Sequence, residues 1–124
     1  MDDNPWASSG LEVIRSRDLP NGRLNRPGAY VVCFGAYWCG FTRRFMPQFA
    51  ARKGTIPASF AIADITDRED PLWDTFRIRI TPTVIVFRDG EVVLRVDGRR
   101  FFGISQAAMD TVERSLSVSP SAVP

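Results

Sequence analysis

The chain has 124 residues, of which 44% are hydrophobic and 24% are charged, so it is long enough and apolar enough for one globular domain with its own core. Sixteen basic and fourteen acidic side chains leave a formal net charge of +2, which is too small to make nucleic acid the expected partner. The absence of histidine excludes mechanisms built on a histidine base, and two cysteines are too few for a zinc centre or a disulfide scaffold, so we expect no metal site.

Both ends of the chain are predicted to be flexible. Residues 1–9 are small and polar, and they carry two aspartates where a secretory signal carries positive charge. Residues 117–124 are rich in serine and proline. The longest nearly apolar run, residues 29–39, is about half as long as a membrane span needs. We therefore expect a folded unit over residues 10–116, a cytoplasmic location and no membrane partner.

Apolar and alternating patterns predict the elements of the first half. A short strand is expected around residues 11–15, and residues 18–28 form a loop or one helical turn because two prolines and two glycines forbid a long helix there. Residues 30–34 are β-branched and aromatic without alternation, which is typical of a central strand covered on both faces. From residue 41 phenylalanines recur every four positions, so a helix is predicted to begin immediately after Cys39.

The second half completes an α/β pattern. We predict, in order, a strand at residues 59–65, a short helix at 71–76, a hairpin of strands at 83–87 and 92–96, and a last helix over 104–116 capped by Ser105. The hairpin is predicted from the turn sequence Asp89-Gly90. This order favours a central mixed sheet of four to five strands with helices on both faces.

The junction between the central strand and the first long helix is the best place in this sequence for thiol chemistry. Cys39 stands at the start of the predicted helix, where unpaired backbone N–H groups and the positive end of the helix dipole favour thiolate over thiol. Thr42, three positions on, can direct its hydroxyl at the same sulfur. We therefore predict an acidic, nucleophilic Cys39.

The sequence around this junction resembles the thioredoxin superfamily, whose active site is normally Trp-Cys-Gly-Pro-Cys; residues 38–42 are Trp-Cys-Gly-Phe-Thr. The segment Ile-Thr-Pro-Thr at residues 80–83 resembles the family loop in which a cis-proline faces the catalytic sulfur. The resemblance covers about residues 10–116 and implies a thioredoxin fold. It also implies a substrate-binding surface formed by Trp38, Gly40, Phe41, Thr81, Pro82, Gly98 and Arg99.

Three departures from the family pattern all affect the step in which a second cysteine releases the mixed disulfide. Thr42 replaces the second, resolving cysteine, Cys33 replaces a buried aspartate, and the third predicted strand lacks the lysine that partners this aspartate. A dithiol enzyme clears its mixed disulfide with its own second thiol, which a hydroxyl cannot do near neutral pH. We therefore predict a monothiol reductase or isomerase with Cys39, Thr42 and Pro82 as catalytic residues. It acts on protein or peptide disulfides, and its mixed disulfide is released by an outside thiol such as glutathione or by another sulfur of the substrate, with no other cofactor.

The sequence allows two interpretations each of Cys33, of the function and of four arginines. Cys33 is either a displaced resolving thiol beneath Thr42 or an ordinary core cysteine. The protein is either the proposed oxidoreductase or a non-catalytic module that binds protein or peptide partners through the same surface. Four arginines are expected either to ring this surface, favouring acidic peptides or the carboxylates of glutathione, or to be merely solvated. They are Arg43, Arg44, Arg99 and Arg100.

Overall fold

A computed structural model describes residues 5–117 of the protein, and its elements follow the predicted order. The strands are β1 (Glu12–Ile14), β2 (Ala29–Gly35), β3 (Ser59–Asp64), β4 (Thr83–Arg88) and β5 (Glu91–Asp97). The α-helices are α1 (Gly40–Ala50), α2 (Leu72–Thr75) and α3 (Gln106–Ser117), and short 3-10 turns lie at Ala7–Ser9, Ser16–Asp18 and Pro20–Gly22. Ser105 caps α3 as predicted, because its Oγ accepts the Ala108 N–H at 3.1 Å.

The strands form one mixed sheet in the order β1-β3-β2-β4-β5. The central strand β2 runs parallel to β3 and antiparallel to β4, so Cys33 lies between Ile62 on one neighbour and Val84 on the other. The hairpin of β4 and β5 is antiparallel, as the turn sequence between the two strands predicts. The predicted mixed sheet is confirmed and has five strands.

Both faces of the sheet are covered, because successive side chains of β2 alternate between two cores. Val31 and Cys33 belong to the core that contains the apolar faces of α1 and α3. Val32 and Phe34 belong to the opposite core, which α2 and the segment before β2 cover with Leu72 and other apolar side chains. The predicted placement of helices on both faces is confirmed, and it explains why β2 is apolar without alternation.

Residues 5–9, which fall in the predicted flexible N-terminus, contact the domain through Trp6. Trp6 is 5% exposed, belongs to the core beneath α1 and packs against Tyr37 with 5.2 Å between ring centroids. Burial of this large ring holds residues 5–9 against the domain. The remaining parts of the predicted flexible ends, residues 1–4 and 118–124, lie outside the described residues. Within residues 5–117, no helix is long and apolar enough to cross a bilayer.

Candidate active site

Cys39 occupies the junction between β2 and α1. It is the residue that caps the start of α1, with its N–H donating to the Ala36 carbonyl and its own carbonyl accepting the Arg43 N–H, both at 3.1 Å. Its extended backbone (φ −91°, ψ 118°) directs the chain from the sheet into the helix. The sulfur therefore lies where the first N–H groups of α1 have no partner within the helix.

The sulfur of Cys39 faces the loop that precedes β4. Its Sγ donates to the Thr81 carbonyl at 3.5 Å, and the side chain is only partly buried. The peptide bond between Thr81 and Pro82 is cis, as the resemblance implies. The structure thus brings together the cysteine and the proline-containing loop, although 42 positions separate Cys39 from Thr81.

Hydrogen bonds make Cys39 a more acidic thiol than usual. Partial burial is the largest single influence and raises its pKa, but hydrogen bonds from the Thr81 side chain, from the backbone and side chain of Thr42, and from the Phe41 backbone together outweigh it. The net result is a pKa below the ordinary thiol value. A larger share of Cys39 is therefore thiolate, the nucleophilic form, near neutral pH.

Thr42 is fully buried beneath the start of α1. Its methyl group lies against β2, since a Cβ built on Gly35 would be only 2.4 Å from Thr42 Cγ2. Its hydroxyl lowers the pKa of Cys39, yet within residues 5–117 no atom meets full hydrogen-bond geometry with this oxygen. Glycine at position 35 leaves the space that the Thr42 methyl group fills.

Cys33 is a core residue rather than an active-site thiol. It is fully buried, and burial raises its pKa far above the ordinary value, so it stays protonated. Both cysteines are free. These observations favour the core cysteine over the displaced resolving thiol. Within residues 5–117, no three His, Cys, Asp or Glu side chains form a group that could hold a metal ion.

Gly98 is placed against the proline loop by a close approach of two backbones. A Cβ on Gly98 would lie 2.4 Å from the Pro82 carbonyl oxygen and 3.2 Å from the Ile80 side chain. Any larger residue would push β5 away from the loop that faces the sulfur. Gly98 and Pro82 are both buried, so they shape the site from within.

An open groove of about 560 Å³ lies over Cys39, and we call it the Cys39 groove. Five of its lining residues were predicted to belong to the site: Trp38, Cys39, Phe41, Thr81 and Arg99. The others are Arg68, Trp73, Arg79, Ile80, Arg100 and Phe101. Gly40 is exposed at the first position of α1 but does not line the groove.

Comparison with known proteins agrees with this geometry. The family model for thioredoxin matches residues 21–109. The chain belongs to the thioredoxin family. Among curated thioredoxin relatives, protein disulfide-isomerase A3 of Gallus gallus is 31% identical over 97 residues, which is 75% of this chain but only 19% of that protein. Thioredoxin from Coprinus comatus is 28% identical over 111 residues, which is 86% of this chain and 99% of that protein.

Solved structures agree on the thioredoxin fold. The N21Q mutant thioredoxin from Halobacterium salinarum superposes with a TM-score of 0.68 at 22% identity, covering 92% of this chain and 94% of its own. A chain from a study of thiol resolution in yeast mitochondrial 1-Cys peroxiredoxin also gives a TM-score of 0.68, at 17% identity, covering 87% of this chain and 97% of its own. The predicted fold is confirmed.

The tryptophan of the thioredoxin motif is held in place by several contacts. Trp38 donates its indole N–H to the Thr66 carbonyl at 2.9 Å and stacks on Trp73, with 6.2 Å between centroids and 8° between planes. The guanidinium carbon of Arg68 lies 4.0 Å from the Trp38 ring centroid. Arg68 and Trp73 were not predicted as site residues, because nothing in the pattern of the chain between β3 and β4 marks them.

The expected ring of arginines needs correction. Arg43 and Arg44 do not line the Cys39 groove: Arg43 donates to the Tyr37 carbonyl, and Arg44 lies over the Phe41 ring at 5.7 Å. They project from other sides of α1, because successive helical residues are about 100° apart. Arg99 and Arg100 line the groove as predicted, together with two further arginines. These are Arg68 and Arg79.

Proposed function

We propose that this thioredoxin-family protein exchanges thiols with protein or peptide disulfides through Cys39 alone. The observation that carries the proposal is the contrast between its two cysteines. Cys39 is accessible, acidic and directed at the cis-proline loop, whereas Cys33 is sealed in the core and held as a thiol. Thr42 fills the remaining position at which the family places a sulfur.

The first step is attack of the Cys39 thiolate on one sulfur of a substrate disulfide. A new S–S bond joins Cys39 to that sulfur while the substrate S–S bond breaks, and the other substrate sulfur leaves as a thiolate with the bonding electron pair. Hydrogen bonds from Thr42, Thr81 and the Phe41 backbone stabilise the attacking anion. They lower the pKa of Cys39, so a larger share of the sulfur is thiolate, the form that attacks.

The second step needs a thiol from outside the protein. An incoming thiolate attacks the Cys39 sulfur or the substrate sulfur of the mixed disulfide, and the displaced sulfur leaves as a thiolate. Glutathione or another small thiol makes the protein a monothiol reductase, while a second cysteine of the substrate makes it an isomerase. We place the reaction in the cytoplasm, where such thiols are kept reduced. No bound cofactor enters either step.

The substrate segment is proposed to lie across the loop before β4 as an extended chain. In the described part of the chain, the Thr81 N–H makes no backbone hydrogen bond, so it is available to pair with a substrate strand. Trp38, which is 42% exposed, and Phe41 supply apolar contact beside the sulfur. The name of one relative, a protein disulfide-isomerase, supports substrates that are themselves proteins.

The variant Thr42→Cys tests the one-sulfur mechanism. It restores a second thiol three residues after Cys39, so each mixed disulfide can be cleared internally at a high effective concentration. In an insulin turbidity assay with limiting external thiol, we expect wild type to reduce insulin poorly and Thr42→Cys to be at least about tenfold faster. The matched control, Cys39→Ser in both backgrounds, is expected to abolish activity.

Two outcomes would contradict the proposal. Rapid insulin reduction by the wild type without added thiol would mean that a second sulfur already resolves the intermediate. An unreactive Cys39, together with tight peptide binding that is independent of thiols, would identify the protein as the non-catalytic binding module. Mass spectrometry of Cys39 adducts captured from a cell extract separates these cases, because a monothiol intermediate should be long-lived.

A further inference from the structure

The Cys39 groove is unusually rich in unpaired positive charge. It is lined by four arginines, and no aspartate or glutamate within the described part of the chain joins them in its lining. None of the four takes part in an ion pair with a carboxylate of residues 5–117, so their charge is available to a ligand. The net charge of +2 does not by itself produce such a cluster.

These arginines come from three separate segments. Arg68 lies between β3 and α2, Arg79 lies between α2 and β4, and Arg99 and Arg100 follow β5. Because no single sequence feature places them together, the fold itself assembles this charge around the nucleophile. Guanidinium groups in this setting bind carboxylates through paired N–H donors.

Two of the segments are held in shape, so the backbone positions from which their arginines project are fixed. Arg68 lies on the Trp38 ring, which is fixed by its hydrogen bond to Thr66 and its stack on Trp73. Arg99 closes a tight turn by exchanging backbone hydrogen bonds with Gly103 at 2.8 Å in both directions. Little conformational entropy is therefore lost when a ligand binds these positions.

The turn after β5 also presents aromatic surface next to this charge. Phe101 is 75% exposed, lines the groove and has a left-handed backbone (φ 70°), which is unfavourable for a bulky residue. The turn is anchored at its base, where Gly103 packs against the Phe41 ring. An exposed ring beside guanidinium groups is typical of a surface that contacts a peptide rather than a small ion.

We propose that the Cys39 groove docks an acidic peptide segment of the disulfide partner, with its arginines pairing with carboxylates around the reacting cysteine. The proposal rests on the proposed function, because the docked segment carries the disulfide that Cys39 opens. A peptide fits better than glutathione, because the groove adds apolar surface from Trp38 and Phe101 that glutathione does not match.

The test uses three synthetic peptides that differ only in the charge around one cysteine, with acidic, neutral amide or basic flanks. Each cysteine is activated as a mixed disulfide with thionitrobenzoate. The Cys39 thiolate attacks the peptide sulfur, the new bond joins Cys39 to the peptide, and coloured thionitrobenzoate leaves with the electron pair. At low salt we expect the acidic peptide to react about tenfold faster than the neutral one, and the basic peptide to be slowest. The order should flatten at about 0.5 M salt.

Variants locate the effect in the groove. Arg68→Gln and Arg99→Gln are each expected to lower the ratio of the acidic-peptide rate to the neutral-peptide rate about two- to fivefold. The matched control is Arg114→Gln, which removes an exposed arginine that bonds to Thr111 on α3, outside the groove. This control is expected to keep the full preference.

The outcomes separate failure of this proposal from failure of the proposed function. Equal rates for acidic and basic peptides at low salt, with a Cys39 that reacts normally with the uncharged disulfide of mercaptoethanol, would overturn the acidic docking surface alone. Glutathione disulfide reacting as fast as the acidic peptide would overturn the choice of a peptide. If Cys39 does not react with the uncharged disulfide, the proposed function fails. Fluorescence anisotropy with the same peptides carrying serine for cysteine then decides the docking surface: it stands if the acidic peptide binds best, and falls if binding ignores charge.

Discussion

Replacement of Thr42 by valine separates what its hydroxyl does for the sulfur from what its methyl group does for the core. Valine has nearly the same shape, so it fills the space beside Gly35 in the same way. It removes a hydroxyl that is fully buried and has no fully formed hydrogen bond within residues 5–117. Leaving such a group unsatisfied costs about 1–3 kcal/mol.

We expect Thr42→Val to be more stable and less reactive than the wild type. Taking the lower end of the hydroxyl penalty, the free energy of unfolding should rise by about 1 kcal/mol, which corresponds to about 4 °C in Tm for a domain of this size. The pKa of Cys39 should rise toward the ordinary thiol value, because one of the hydrogen bonds that lower it is lost. Urea melts of the reduced protein at acidic pH and iodoacetamide alkylation across a pH series measure the two effects.

The control is Thr42→Ser, which keeps the hydroxyl and removes the methyl group that packs against β2. It should keep the pH profile of Cys39 alkylation and lose about 1 kcal/mol of stability, the cost of one buried methyl group. The two variants are thus expected to change stability in opposite directions. If Thr42→Val loses stability, the hydroxyl has a partner in solution that offsets its burial. If its alkylation profile matches the wild type, the hydroxyl does not act on the sulfur.

Further measurements address the other groups of the site. Cys33→Val is expected to change the Cys39 alkylation rate less than about twofold and stability by less than about 1.5 kcal/mol; loss of turnover would instead make Cys33 a resolving thiol. Gly98→Ala should lower the free energy of unfolding in urea melts by about 1–3 kcal/mol and slow mixed-disulfide formation, because its Cβ would lie 2.4 Å from the Pro82 carbonyl oxygen. Stability and rate equal to those of the wild type would mean that the loop moves aside at little cost. Because the pKa of Cys39 is lowered by folding, its contribution to stability is present above the ordinary thiol value of about 8.5 and lost as pH falls through the folded value. The stability difference between wild type and Cys39→Ser should therefore grow with pH across that window, and a constant difference would contradict the lowered pKa.

The parts of the site that the sequence predicts are those that local chain geometry determines. Cys39 follows a strand with no alternation and precedes a helix with a clear period of four, so its place at the helix start follows from neighbours within ten residues. The loop at Pro82 is predicted for a similar reason, since a proline directly before an apolar strand requires a special turn. The 3.5 Å contact between the Cys39 sulfur and the Thr81 carbonyl oxygen then follows from β2 and β4 being adjacent in the sheet.

The parts that it does not predict depend on how distant loops pack. Arg68 and Arg79 lie in irregular segments, where no periodicity tells which way a side chain projects. Trp6 is one apolar residue in a polar stretch, and its burial depends on Tyr37 and α1 rather than on its neighbours. Arg43 and Arg44 lie outside the groove for a different reason, because closeness in sequence to Cys39 does not place helical side chains on the same side of α1.

Threonine at position 42 is itself an argument for chemistry at Cys39. At a fully buried position packed against Gly35, valine fills the same volume without a hydroxyl that lacks a fully formed hydrogen bond, so packing alone favours valine. A buried hydroxyl that lowers the stability of the core in this way is best explained by an acceptor with which it is not fully hydrogen-bonded in this structure. The neighbour that gains most from the hydroxyl is the Cys39 thiolate, whose pKa it helps to lower. We therefore expect this arrangement to serve a nucleophilic Cys39, as the proposed function requires.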